Sequence, residues 1–114
     1  MIEYAVISKQ PNENAWTVHS KTAYHYSFYK TKKAAQNALA RFEQDRLDMI
    51  DYLKRLLQAN QYVANLAFSA AEQRKLDEDF LKEYEDKIYK IGYWTDDNSP
   101  MYLLETDEKI KLKR

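Results

Sequence analysis

Two periods divide the chain. Residues 2–9, 15–20 and 22–30 read at period two; from residue 31 to the second stripe's end at Ile91 apolar positions recur at helical spacing. Ile2, Tyr4 and Val6 lie on one side of the first segment, with Glu3, Ala5 and Ile7 on the other, which predicts a strand over 2–9. Residues 10–14 (Gln-Pro-Asn-Glu-Asn) have turn composition, and Trp16 and Val18 alternate with Thr17 and His19, so the first two strands form a hairpin. Tyr24, Tyr26 and Phe28 alternate with Ala23, His25, Ser27 and Tyr29 and predict a third strand over 22–30, completing an antiparallel meander.

Thr31 is a plausible N-cap, since its hydroxyl can accept from an early helical N–H. Beyond it Leu39, Phe42, Met49, Ile50, Leu53, Leu56 and Leu57 form a helical stripe, interrupted by Arg46, with Asp51 and Arg55 in favourable i,i+4 order. The predicted helix, ~32–58, is about 40 Å long at 1.5 Å per residue. A chain of this size has a radius of gyration of about 13 Å. Such a helix must project, pack on a long partner, or break, and the partner is either the second helix or another copy of the protein. Asn60 is its candidate C-cap.

Ser69-Ala70-Ala71-Glu72 is a capping box ahead of a second stripe, Leu76, Phe80, Leu81, Tyr84, Ile88 and Ile91. Lys87 and Lys90 suit a last helical turn and Gly92 a C′ position; the alternative ends the helix near Asp86 and makes 88–94 a strand. Residues 96–100 (Asp-Asp-Asn-Ser-Pro) read as a loop, and 101–105 with 109–113 as a closing hairpin with Leu103, Ile110 and Leu112 inward. The order βββ-α-α-ββ predicts a single α+β domain over 1–114: an antiparallel sheet of an N-terminal three-stranded meander plus a C-terminal hairpin, packed on two helices, the first long.

Composition narrows the function. With no Cys there is no thiolate metal site, disulfide framework or thiol nucleophile. A single glycine cannot build the glycine-rich loops that let backbone N–H groups approach phosphates, which excludes nucleotide-binding enzymes of those types. The 16 aromatics oppose disorder, and no apolar run approaches the ~20 residues of a membrane span. A soluble, cytoplasmic protein is expected.

The 18 basic and 18 acidic residues sum to zero but are unevenly distributed: +4 over residues 1–41, −8 over 42–108 and +4 over 109–114. The asymmetry suits either two partner surfaces or ends that neutralise the middle.

Chemistry-bearing constellations are few. His19 and His25 lack metal-ligand spacing, and Asp77-Glu78-Asp79 splay around a helix instead of converging as an acid/base pair. Neither a metal nor a cofactor is expected. Residues 24–33 interleave aromatics with lysines: Tyr24, Tyr26, Tyr29, Lys30, Lys32 and Lys33 could stack bases and neutralise phosphates, contact a protein partner, or divide between core and helix start. The tail residues Lys109, Lys111, Lys113 and Arg114 would join a nucleic-acid surface. Tyr93, Trp94 and Tyr102, with Tyr89, form a second aromatic cluster and a second candidate partner surface. Leu39, Phe42, Met49, Leu53 and Leu56 are the candidates for self-association through the long helix.

The run Tyr4-Ala5-Val6-Ile7, then Trp16-Thr17-Val18, then Phe28-Tyr29-Lys30-Thr31-Lys32-Lys33-Ala34-Ala35 resembles the hairpin-then-helix opening of small phage and mobile-element accessory proteins. The likeness covers about the first 40 residues. It implies an intracellular, non-enzymatic protein; some proteins of this type bind and inhibit host defence machinery, CRISPR effectors included. The expectation is a protein-binding accessory protein that occludes the surface of a host protein, with nucleic-acid binding as the alternative.

Overall fold

The structure, a computed structural model, describes residues 1–22, 27–96 and 98–113. The elements are β1 (Glu3–Lys9), β2 (Thr17–His19), α1 (Lys32–Ala59), α2 (Ala70–Asp86), β3 (Ile88–Trp94) and β4 (Tyr102–Leu103). The fold is α+β: one four-stranded antiparallel sheet, ordered β2-β1-β3-β4, and two helices of which the first is long. The chain divides into two compact units, Met1–Glu43 with Lys87–Arg114, and Gln44–Asp86.

In the first unit β1 is a central strand, and its run Ala5-Val6-Ile7 is wholly buried because both faces of the sheet are covered. Val6 and Ile91 stand opposite each other in the ladder and face the start of α1, where Ala35 and Ala38 admit close approach of the helix backbone. Ile7 turns the other way, into a second cluster with Trp16 and Met101. That cluster is closed by the C-terminal segment. Lys109 bridges to Tyr102 at one edge, and Leu112 bridges in parallel to Trp16 at the other. The Trp16 N–H donates to the Lys111 carbonyl, and its carbonyl accepts from Lys113, each at 2.8 Å. The C-terminal segment thus pairs with backbone beside both outer strands, at Trp16 and at Tyr102.

Three expectations change. Of the third meander strand, residues 23–26 lie outside the described residues; Tyr29 makes a two-bond bridge to Tyr4, at 2.8 and 2.9 Å, along β1 and not beyond β2. The second helix stops at Asp86 and residues 88–94 are a strand, so Gly92 is not its C-cap. A Cβ on Gly92 would sit 2.6 Å from the Met101 sulfur, so the glycine is what lets Met101 lie on the sheet. In the C-terminal segment Leu103 and Ile110 do pack inward, but Leu112 is left partly exposed, and its backbone pairs with Trp16.

The second unit is a helical hairpin. Thr31, N-terminal to it in the chain, starts α1 as expected, its hydroxyl accepting from Ala34 at 3.1 Å. Asn60 ends α1 in the left-handed region, φ 51°, its N–H donating to the Leu56 carbonyl at 3.0 Å. The capping box closes reciprocally: Ser69 Oγ accepts from Glu72 N–H at 3.1 Å, and Glu72 Oε1 from Ser69 N–H at 3.0 Å. Arg46, the residue that breaks the apolar stripe, donates to the Tyr84 carbonyl, while Arg74 donates to the Leu57 carbonyl and the Asn60 side chain. Each helix thus gives a cation to the C-terminal carbonyls of the other, where the dipole favours it. Asp51 and Arg55 are ion-paired, as their spacing requires.

Candidate partner-binding surface

Strand alternation separates the aromatic cluster expected in the first unit. Tyr93 stacks obliquely on Tyr102, with centroids 5.7 Å apart, and donates its hydroxyl to Asp107 Oδ1 at 2.7 Å. That hydrogen bond, then burial and the carboxylate's charge, hold the Tyr93 phenol above its usual range. Trp94, the next residue, points to the other face and meets Phe28 edge-on at 4.9 Å. Phe28, Trp94, Val18, Met101 and Leu112 line an open cleft of about 520 Å³. Tyr89 belongs to the core instead, against Phe42 and His19.

The aromatic–lysine segment divides in the same way. Tyr24 and Tyr26, with His25, lie outside the described residues, as do Asp97 and Arg114. Tyr29 is buried, so its ring is not presented to a partner. Lys30 is ion-paired with Glu3, and Lys113 with Glu13, whose carboxyl this contact holds below the usual range. Lys32 and Lys33 are exposed in the first turn of α1.

His19 sits half-buried between the rings of Phe42 and Tyr89, at 5.1 and 5.9 Å, with Nε2 2.7 Å from Ser8 Oγ. Burial, then the Lys87 ammonium, hold the imidazole below its ordinary range by opposing its charged form. Among the described residues no group of three or more His, Cys, Asp and Glu is placed to hold a metal ion. No helix of the described residues is long and apolar enough to cross a membrane.

The surface that stands out is one that sequence patterning did not single out. Of the eleven large apolar side chains exposed among the described residues, eight lie in the helical hairpin: Leu47, Met49, Tyr52, Val63, Leu66, Phe68, Leu76 and Phe80. Leu53 is the one hydrophobic residue of the hairpin that is buried. The five residues expected to form a self-association seam are dispersed accordingly. Leu39 and Phe42 pack on the sheet core, Leu53 is 4% exposed, and Leu56 is half-buried, which leaves Met49 outward.

The loop joining the helices is well tied down. Asn65 Oδ1 accepts from the N–H groups of Ala67 and Phe68, both at 2.8 Å, and the Gln73 amide donates to the Val63 carbonyl at 2.5 Å. Tyr62 donates to Asp77 Oδ2 at 2.7 Å, and burial with that carboxylate pushes the phenol up to about 12. Held by these hydrogen bonds, the loop presents Val63, 77% exposed, and Leu66 outward. Phe68 and Leu76, with Ala71, Glu72 and Lys75, line a shallow cleft of about 370 Å³. The arrangement offers preorganised apolar area, the property that lets a surface bind at low ordering cost. A signal for its loop was present in Tyr62, Val63, Leu66 and Phe68, which lie between the two helical stripes and outside both.

No protein-family model, curated protein or solved structure matches the chain.

Proposed function

We propose that the protein is a non-enzymatic binding protein that works by covering part of the surface of a host protein. The observation that carries this reading is the concentration of exposed apolar side chains on the helical hairpin. Such patches on a folded chain mark interaction sites, and Tyr, Phe and Met are residue types enriched at protein interfaces. The resemblance of the first 40 residues to phage and mobile-element accessory proteins supports the more specific reading of an inhibitor of a host defence protein, such as a CRISPR effector, acting by occlusion. Nucleic-acid binding is less well supported, because Tyr29 is buried and Lys30 and Lys113 already have carboxylate partners.

The test compares the wild-type chain with Tyr52→Ala/Phe80→Ala as affinity baits in lysate of a candidate host. The expected result is a specific protein held by the wild type and lost from the double variant. A partner retained equally by both would overturn the hairpin as the binding surface. A salt-sensitive gel shift with no protein partner would favour the nucleic-acid reading.

A further inference from the structure

Resting on that reading, we infer that one flank of the helical hairpin docks a basic amphipathic helix of the partner protein. The flank is set by helical geometry. Arg46, Ile50, Leu53 and Leu57 of α1 and Asp77, Leu81 and Tyr84 of α2 are buried or half-buried at heptad-like spacing, which marks the faces the two helices turn toward each other. In an antiparallel pair, the residue just before an inward position falls on the same side of both helices, because opposite direction and opposite facing cancel. The residue just after falls on the other side. The Lys54–Glu85 pair at 4.0 Å joins two such following positions across the helices.

The preceding positions are Asp45, Met49, Tyr52 and Leu56 on α1 and Leu76, Phe80 and Glu83 on α2, apolar except for the two acids at one end, and Phe68 extends the patch through the cleft it shares with Leu76. Tyr52 is 55% and Phe80 48% exposed. An apolar strip two helices wide matches the stripe of an amphipathic helix laid along it.

Charge selects the occupant. The strip is bordered by Asp45 and Asp48 on α1 and by Glu72 and Glu83 on α2. Of the cations on the same helices, Arg55 and Lys75 are ion-paired with Asp51 and Asp79. The whole hairpin, residues 44–86, has ten acidic and six basic residues, a net −4. A second copy would set acidic borders against acidic borders, which like-charge repulsion disfavours. A helix whose leucine stripe is edged with Lys or Arg meets both the apolar strip and its rims.

The test uses two labelled synthetic amphipathic helices that share one leucine stripe, the first bordered by lysines and the second by glutamates, titrated against the full chain by fluorescence anisotropy. The expected result is binding of the lysine helix, weakened as salt rises and at least roughly tenfold weaker to Phe80→Glu. Asp45→Lys/Asp48→Lys, exposed changes that leave the strip intact, shifts the preference toward the glutamate helix. Equal binding of both helices, or of neither, overturns the inference. So does a concentration-dependent dimer in sedimentation equilibrium that Phe80→Glu dissolves, which would make the occupant a second copy. The two readings fail separately. Partner capture from lysate that Phe80→Glu abolishes, without binding of the lysine helix, removes only the basic-helix identity. Capture that survives Phe80→Glu removes the hairpin's role altogether.

Discussion

The guanidinium of Arg46 donates to the backbone carbonyl of Tyr84 from 3.0 Å, and at the other end of the same hairpin Arg74 donates to the carbonyl of Leu57 from 2.9 Å. The two contacts are the same device used in both directions. Neither helix of the hairpin has a basic residue in its own last turn, so each takes its C-terminal cation from its neighbour. Only Leu53 of the apolar side chains in this unit is buried, so these bonds act beside a small core.

Replacing Arg46 or Arg74 with Met keeps the aliphatic stem and removes the donor. Each change is expected to destabilise the hairpin by about 1 kcal/mol. The double variant is expected to show the sum, because the sites are at opposite ends and share no partner. Urea unfolding followed by far-ultraviolet circular dichroism measures this; no loss from either single variant would show the contacts to be energetically idle.

Gly92→Ala is expected to destabilise the sheet by roughly 1–3 kcal/mol, because the new methyl meets the Met101 side chain inside a packed cluster. In combination with Met101→Ala the penalty should be less than additive, since the second change removes the atoms in the way. Thermal midpoints of the two single variants and the double variant decide it; strict additivity would point to the backbone instead.

His19 gives the fold a mild sensitivity to acid. Its imidazole titrates below its unfolded value of about 6.5 because burial, and then Lys87, oppose the charged form; the Phe42 and Tyr89 rings and the Ser8 hydroxyl lie against it. The unfolded chain therefore binds the proton more readily. Stability is full above about pH 6.5 and falls as pH drops through the folded-state value. Denaturation midpoints at about pH 7.5 and 5.5 should differ less in His19→Gln than in the wild type. Glu13 and Glu72, held low by their hydrogen bonds, lose their contributions only in more acid solution, as pH falls through their depressed values.

Tyr62 behaves in the opposite sense. Burial and Asp77 raise its phenol to about 12, so its contribution to stability is complete below the ordinary tyrosine value near 10 and is lost as pH rises toward 12. Ultraviolet titration should show a late-ionising tyrosine that Tyr62→Phe eliminates. If the late step persisted in the variant, the Tyr62–Asp77 contact would not be what orders this loop in solution.

What could be read along the chain was what depends on neighbours in sequence. Thr31, Asn60 and the Ser69–Glu72 box act through hydrogen bonds spanning three or four residues, so the bounds of α1 and the start of α2 followed from side-chain chemistry alone. The first hairpin and the α+β class followed from the change of period at residue 31. The remaining features are set by groups far apart in sequence. Gly92 looks like a helix cap until Met101 is laid over it, and Arg46 looks like a flaw in an apolar stripe until the end of α2 arrives beside it. Tyr93 and Trp94 are one cluster in the sequence and two in space, because a strand sends adjacent side chains to opposite faces. Composition alone establishes that the chain is rich in aromatics and balanced in charge. Only the tertiary structure decides which apolar side chains the chain covers and which it leaves on the hairpin, since burial is a property of the packed arrangement and not of the residue.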